Sequence, residues 1–405
     1  MYCEAKMRIQ RNLRLIDAYT LGTNMIFVLP VLVPYYHDRI GVDFHGFMVG
    51  EAAFAAAAIL CDVPAGWLAD MWQRRHVEAL GIFTELAGFA ILLFARSFAD
   101  AVTAQAVIGV GISLCTGTNT AILYDSLLSV DRQREYRRRE GRRLAMGFYT
   151  MAVAGVIGGF IYPLDHRLPL ILTIAAFAVA GVATLLLDEP LRRKPPRVRH
   201  PLKDIFATIK YALHDHAGIG FAIMSAAALF SATKIVMWTQ QPYFMLLHVP
   251  EKWYGVLMAV GFLLGGAASH ASHLLDGKIG APRALALIWA AAILVCVCAA
   301  WQPGWHGIAL LMLGGTCIFG MASPRINEVI NDHVDSARRA TVLSTQSLMV
   351  RTVFIPLSAV MGGLSKHWGV TGTLLGLALW LGVTGGFLGL LALRQRKKQA
   401  ASQAV

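Results

Sequence analysis

Long apolar stretches alternate with short polar turns along the whole of this chain. Stretches of roughly 20 residues recur through its 405 residues, each long enough to cross the hydrocarbon core of a bilayer as a helix. Strands of a membrane β-barrel would be about half as long and would alternate in polarity, which these stretches do not. The pattern predicts twelve membrane-spanning helices, near Leu15–Tyr36, Phe44–Ala69, Val77–Ala95, Ala101–Leu127, Leu144–Leu164, Leu168–Leu187, Ile219–Leu247, Trp253–Leu275, Ala284–Trp301, Gly307–Val329, Val342–Leu364 and Val370–Leu393.

One long polar interval divides these stretches into two sets of six. It runs from Asp188 to His216 and is rich in Arg, Lys and Pro, a composition that cannot build a packed core. We therefore predict a six-helix N-terminal half (1–187), a cytoplasmic linker (188–216) and a six-helix C-terminal half (217–405). Within the linker, Leu202–Leu213 could form an amphipathic helix on the membrane surface.

Composition and charge agree with a membrane protein. With 56% hydrophobic and 15% charged residues, the chain is too apolar for one soluble domain. The net charge of +12 reflects position and not nucleic-acid binding, because the 36 Lys and Arg residues crowd into alternate turns. Such asymmetry predicts that both termini are cytoplasmic. Only a few basic residues would then face outward: Arg39, Arg96, Arg167, Lys252 and Lys366.

The turn after the second stretch carries the most distinctive pattern. The run from Asp62 to Arg75 contains Gly66, Asp70, Arg74 and Arg75, with Gly-x-x-x-Asp-x-x-x-Arg-Arg spacing. It resembles the signature loop of the major facilitator superfamily, although Met71 and Gln73 depart from that pattern. Gly66 is expected to allow close approach of two backbones. Arg74 and Arg75 are expected to stay in water. A generic polar turn is the alternative interpretation.

Further runs in both halves resemble a bacterial branch of the same superfamily. They are Gly117–Leu127 (Gly-Thr-Asn-Thr-Ala-Ile-Leu-Tyr-Asp-Ser-Leu), Gln241-Pro242-Tyr243 and Arg338–Ser344. Two departures bear on mechanism: Gln105 stands where proton-driven drug antiporters carry arginine, and the run Ala154–Gly159 lacks their Gly-Pro pair. The remaining glycines of that run still predict close packing of the fifth helix against a helix of the other half.

The resemblance implies a major facilitator fold and a secondary active transporter of the bacterial inner membrane. Its substrate would be a small amphipathic organic solute. The binding site would open to one side of the membrane and then to the other, by alternating access. Export is favoured and proton-coupled uptake is the alternative; a monomer with no cofactor, no metal and no nucleic-acid partner is expected. In this family the first, fourth, seventh and tenth helices line the cavity, which nominates Asn24, Tyr35, Asn119, Tyr124, Lys234, Trp238, Gln241 and Asn327.

Ionisable residues within the spans need a partner or a water-filled cavity. Because apolar surroundings favour the neutral form of a carboxylate, the deep acids Asp62 and Glu85 are candidates for carrying the coupling ion, H⁺. Arg351 lies at a similar depth and could keep one of them ionised. Asp70 is expected to gate the inner side by accepting hydrogen bonds from the start of the eleventh span. The residues nearer the edge, Asp17, Asp125, Arg325 and Glu328, are expected to reach surface water.

Two other classes of protein compete with a transporter. A membrane-embedded enzyme would need a polar cluster near one face, for which His270, His273 and Asp276 are the candidates. A receptor would need a sensor domain, for which the sequence offers no segment. No Gly-x-x-x-x-Gly-Lys loop is present, so ATP is not the expected energy source.

We predict an ion pair between Glu51 and Lys234, one from each half, that forms when the outer side is closed. Both residues lie roughly 25 to 28 Å from the cytoplasmic edge at 1.5 Å per helical residue, where pairing offsets part of the cost of each charge. Glu51→Gln or Lys234→Met should each favour the outward-open state. A double-mutant cycle on transport should be less than additive, and strict additivity would contradict the pair.

Overall fold

The computed structural model describes residues 2–130, 132–189, 217–272, 281–334 and 336–403. Some predictions lie outside these ranges, namely the amphipathic segment Leu202–Leu213, most of the linker 188–216, and the residues His273 and Asp276. The described part is helical and contains no strand. It holds eleven helical stretches that are long and apolar enough to cross a membrane, so the predicted all-helical membrane architecture is confirmed.

Eight α-helices lie in the described residues up to 189. Local signals set where several of them begin: the Asp43 side chain accepts a hydrogen bond from the Gly46 N–H (2.8 Å), and Ser97 with Asp100 forms a capping box. The helices are α1 (Tyr2–Asn24), α2 (Leu32–Tyr35), α3 (Phe44–Met71), α4 (Arg74–Phe94), α5 (Phe98–Cys115), α6 (Thr118–Leu128), α7 (Tyr136–Ile161) and α8 (Leu168–Leu185).

Two of the predicted spans are broken and not continuous. The first span ends as a regular helix at Asn24 and continues as short turns to Ile40, because Pro30 and Pro34 remove backbone donors. The fourth span breaks between α5 and α6 at Gly117, whose φ of 81° is left-handed and suits glycine. The Gly-Thr motif therefore marks a break that starts a new helix at Thr118.

The described residues from 217 onward form five α-helices: α9 (Ala217–Leu246), α10 (Tyr254–Ala271), α11 (Ala281–Trp301), α12 (Trp305–His333) and α13 (Ser336–Gln403). The last candidate span, Thr341–Arg394, has 54 residues, or about 80 Å of helix, far more than the roughly 30 Å hydrocarbon core. Non-helical backbone at Trp368 and Gly369 breaks it. The exact count of twelve spans stays a prediction.

Contacts divide the chain into two compact units. The first comprises Met1–Arg199 with Val249–Ala259, and the second comprises His200–His248 with Val260–Val405. The division at Arg199 falls inside the predicted linker, whereas the inclusion of 249–259 in the first unit did not follow from the sequence. The predicted limits of the two halves stay predictions.

Glycine allows the segment 249–259 to pack closely on α7. The position of a Cβ at Gly159 would lie 3.1 Å from the Lys252 carbonyl oxygen, and one at Gly255 would overlap the Gly155 carbonyl. Phe160 and Trp253 meet edge to face beside this contact, with ring centroids 6.1 Å apart. The close packing expected from the Ala154–Gly159 run is therefore present.

Glycines also set the approach of α5 to its neighbours. A Cβ at Gly109 would overlap the backbone of Phe54 on α3, and one at Gly88 would lie 3.0 Å from the Ala104 carbonyl oxygen. Small residues give helices this access to each other's backbones. Gly66 behaves differently, because a Cβ there would meet no described atom within 4 Å. The expected close approach at Gly66 is thus absent from the described contacts.

Gly109→Ala should destabilise the protein, because its methyl group would overlap the α3 backbone at Phe54, which cannot move like a side chain. We expect a loss of about 1–3 kcal/mol in the free energy of unfolding, measured as a fall in melting temperature in detergent. Gly66→Ala is the matched control on α3; it should leave stability unchanged or slightly raised, since alanine favours helix. Equal effects of the two changes would contradict this packing.

Candidate binding and coupling sites

Two polar pairs join α3 to α5 in the first unit. Gln105 Nε2 donates to Glu51 Oε1 over 3.1 Å, and both residues are 4% exposed. Further along, Ser113 Oγ donates to Asp62 Oδ1 over 3.0 Å. Each deep acid predicted on the second span therefore meets a neutral donor on the fourth. Glutamine at position 105 serves as that donor where drug antiporters have arginine.

The third predicted acid, Glu85, lies on α4 and is also buried. Its side chain faces the Cys115 thiol at the end of α5 and packs against Gly111. Sequence reasoning missed a second acid on the same face of α4, Glu78, which is 1% exposed. The sequence signal that could have identified Glu78 is its spacing of seven residues from Glu85, which places both acids on one helix face about 10 Å apart.

Glu78 lies among polar groups from three other helices. The Tyr19 hydroxyl of α1 faces both the Glu78 carboxyl and the Asn119 amide at the start of α6. Cys115 Sγ donates to the Glu78 backbone carbonyl over 3.6 Å. Neither side-chain oxygen of Glu78 accepts a well-formed hydrogen bond from the described part of the chain, and Asn119 Oδ1 likewise lacks one.

The arginines of the α3–α4 turn lie in a network and not in open water. Arg74 Nη1 contacts Asp125 Oδ2 at 2.5 Å, with side-chain exposures of 21% and 17%. Arg75 Nη1 donates to the Leu187 carbonyl over 2.8 Å. Arg74, Arg75 and Asp125 are all half-buried, so these contacts accompany the partial exposure that was expected of them. Asp70 is exposed, and its gating role stays a prediction.

A carboxylate from beyond α8 caps the start of α4. Glu189 accepts hydrogen bonds from the backbone N–H groups of Arg74 (2.9 Å) and Arg75 (3.1 Å). These N–H groups lack intrahelical partners, and the positive end of the helix dipole favours a carboxylate there. Close by in the sequence, Asp188 and Asn12 exchange two hydrogen bonds of 2.8 and 2.9 Å. The end of α8 is therefore tied to α4 and α1.

The solute-binding candidates of the first unit have different surroundings. Asn24 Nδ2 donates to the Thr20 carbonyl within α1 (2.8 Å). Tyr35 is fully buried, with its hydroxyl directed to the Leu92 carbonyl (3.3 Å). Tyr124 is exposed and meets Tyr136 edge to face. Asn119 adjoins the Glu78 cluster, so it is the candidate that the structure brings beside an ionisable group.

In the second unit, the candidates gather on α9. Lys234, Trp238 and Gln241 recur every three or four residues and so share one face of the helix. Lys234 Nζ lies 4.1 Å from the centroid of the Phe354 ring on α13, which stabilises the cation through its π face. Trp238 and Gln241 are buried, while Asn327 and Arg351 are half-buried. The Glu51–Lys234 pair stays a prediction.

Of the three residues nominated for an enzyme site, the structure describes His270 alone, and its side chain is exposed near the end of α10.

Asp125→Asn should lower stability, because it leaves the half-buried Arg74 guanidinium without its carboxylate. We expect a loss of about 1–3 kcal/mol in the free energy of unfolding, measured by thermal or denaturant unfolding in detergent. Glu135→Gln is the control, since it removes the partner of Arg132 from a more exposed pair and should cost less than about 1 kcal/mol. A larger loss at Glu135 than at Asp125 would contradict the assignment.

Comparisons with known proteins agree with this architecture. Solved structures of similar fold include a mutant of the nucleoside transporter NupG (TM-score 0.78, 14% identity, 94% of this chain and 99% of that one) and the POT family transporter PepTSo (TM-score 0.73, 11% identity, 96% and 99%). A curated relative is the probable nitrate/nitrite transporter NarK2 of Mycobacterium tuberculosis, 28% identical over 161 residues. That match spans 36% of this chain and only 37% of the relative's length.

The family model for the Major Facilitator Superfamily matches residues 18–359, which covers most of the chain. The predicted family and its all-helical membrane fold are thereby confirmed. Membership of this family indicates a transport protein. This chain belongs to the Major Facilitator Superfamily.

Proposed function

We propose that this protein is a secondary active transporter that exports a small amphipathic organic solute by alternating access, driven by an ion gradient. Its place is the bacterial inner membrane, with both termini in the cytoplasm, as the basic residues favour. Membership of the superfamily supports transport, and the chemistry of the described spans supports the kind of solute. Organic solutes combine apolar surface with a few polar groups, and the protein sites that bind them are lined by apolar side chains with a few polar ones.

The observation that carries the choice of solute is the contact of Lys234 with Phe354. Lys234 is the one charged residue between 218 and 246, and its Nζ lies over the Phe354 ring at 4.1 Å. An aromatic face next to a cation, with Trp238 and Gln241 on the same helix face, offers both apolar and polar recognition. A solute with an apolar body and a polar or acidic end suits such a surface.

The energy source we propose is the proton gradient, since buried acids on α3 and α4 are available to carry protons. Asp62 and Glu85 were the acids that the sequence favoured, with Arg351 keeping one of them ionised. Asp62 accepts a hydrogen bond from Ser113, whereas Glu85 faces the weakly donating Cys115 thiol. Of these two, Glu85 is therefore better suited to exist as a neutral acid.

Proton-coupled uptake of a small anion is the second candidate. The partial match to a probable nitrate/nitrite transporter favours it, and the half-buried cation Lys234 would suit an anion. The two proposals differ in the direction of transport and in the size of the solute. Comparison of metabolites in cells and medium, with and without the gene, separates them. Accumulation inside cells on deletion means export, whereas accumulation in the medium means uptake.

Lys234→Met should reduce kcat/KM for the solute so identified by at least about tenfold, because a hydrogen bond to a charged group is worth roughly 1.5–3 kcal/mol. Transport is measured in proteoliposomes at saturating and limiting solute. Lys252→Met is the matched control: Lys252 also lies near an aromatic ring, Trp253, but is exposed, so its replacement should leave kcat/KM within about twofold. Equal losses in the two variants would contradict a binding role for Lys234.

A further inference from the structure

Glu78 differs from the other deep acids in what its carboxyl group meets. Glu51 accepts a hydrogen bond from Gln105, and Asp62 accepts one from Ser113. Glu78 is 1% exposed, yet neither of its side-chain oxygens accepts a well-formed hydrogen bond from the described residues. An ionised carboxylate in that position would lose its hydration without compensation. A neutral carboxylic acid would bear a much smaller cost.

The groups around Glu78 suit a bound proton. The Tyr19 hydroxyl lies between the Glu78 carboxyl and the Asn119 amide, and Asn119 Oδ1 is itself buried without a donor. A protonated Glu78 supplies a second O–H donor to this set of oxygens, beside the hydroxyl of Tyr19. The Tyr19 hydroxyl can link Glu78 to Asn119, because a hydroxyl can accept one hydrogen bond and donate another at the same time.

The charged and titratable groups considered around Glu78 lie on α4, α5, α6 and α7. Arg143 of α7 is the nearby cation, and its guanidinium is engaged by both oxygens of Glu140 at 2.6 and 2.8 Å. Glu85, two turns along α4, and Cys115 of α5 add no positive charge. On α6, Asp125 is paired with Arg74. Helix α8, which also packs on α4, carries no titratable side chain.

We propose that Glu78 is the site that binds the coupling proton and that the Tyr19 hydroxyl links it to Asn119, a residue nominated to contact the solute. This inference rests on the proposed function for the proton gradient and for the role of Asn119, and it replaces Glu85 by Glu78 as the carrier. On release, the Glu78 O–H bond breaks, the electron pair stays on the carboxylate, and the proton passes to water. The new carboxylate then competes with Glu140 for Arg143. Solute bound at Asn119 and a proton bound at Glu78 thus act on the same hydroxyl, as exchange of one for the other requires.

The proton site is tested without knowledge of the solute. Dicyclohexylcarbodiimide reacts with a protonated carboxyl group in an apolar setting: the acid proton moves to a carbodiimide nitrogen and the carboxyl oxygen bonds to the central carbon. Purified full-length protein is treated at several pH values, and peptides are quantified by mass spectrometry. Glu78 should be labelled at neutral pH, and labelling should fall about tenfold per pH unit once its proton is lost.

Two internal comparisons sharpen this measurement. Glu189 accepts two backbone N–H groups and should therefore remain an unreactive carboxylate. Glu78→Gln should remove the label from the α4 peptide alone. Exchange of sodium chloride for choline chloride should change nothing; protection of Glu78 by sodium would show a sodium site and overturn the proton assignment.

Infrared difference spectra detect the protonated carboxyl group even if the carbodiimide cannot reach it. The carbonyl stretch of a protonated carboxylic acid should be present at neutral pH in the wild type and lost in Glu78→Gln. Absence of both the label and this band would overturn the proposal. In proteoliposomes, Glu78→Gln should abolish uphill transport and spare downhill solute exchange. A labelled Glu78 in a wild-type protein that exports nothing would refute the proposed function and leave the proton site standing.

Discussion

The structure depends on one constraint: the hydrocarbon core of a bilayer contains no water to satisfy a polar group. Backbone groups meet this constraint by forming helices, and side chains meet it by finding donors or acceptors on the helices themselves. Thr20 and Thr184 donate to the carbonyls of Ile16 and Ala180, one turn earlier. A hydroxyl satisfied within its own helix needs no tertiary contact, so such residues can occupy a span freely.

Carboxylates cannot be satisfied in that way, because an ionised carboxylate only accepts hydrogen bonds. A helix that carries a buried acid therefore needs a donor from a neighbouring helix. Helix α5 reaches α3 through Gly109 and brings Gln105 and Ser113 to the two acids there. Close packing at glycine is needed beside a buried acid, because a donor on the neighbouring helix must come within about 3 Å of its acceptor. Where no donor comes that close, as at Glu78, protonation is what remains.

Features set by local spacing followed from the sequence, and features set by tertiary contact did not. The lengths of the spans, the burial of Glu51 and Glu85, and the packing of the glycines in Ala154–Gly159 all depend on periodicity that can be read along one segment. The partner of Arg74 is 51 positions away, and no spacing rule identifies it. Glu78 was missed because it stands one turn from the polar residues of the α3–α4 turn, where a carboxylate ordinarily reaches water; α1 and α6 cover it instead.

The cap that Glu189 provides has a consequence for how the protein can be divided. Glu189 and Asp188 are the last described residues before 217, and they hold the start of α4 and the first helix. A polypeptide severed after Glu189 keeps every one of these contacts, whereas one severed a few residues earlier exposes the amide groups at the start of α4. The two residues that follow α8 by a short connection therefore act as a clasp on α1 and α4, and a division of the chain after Glu189 preserves it.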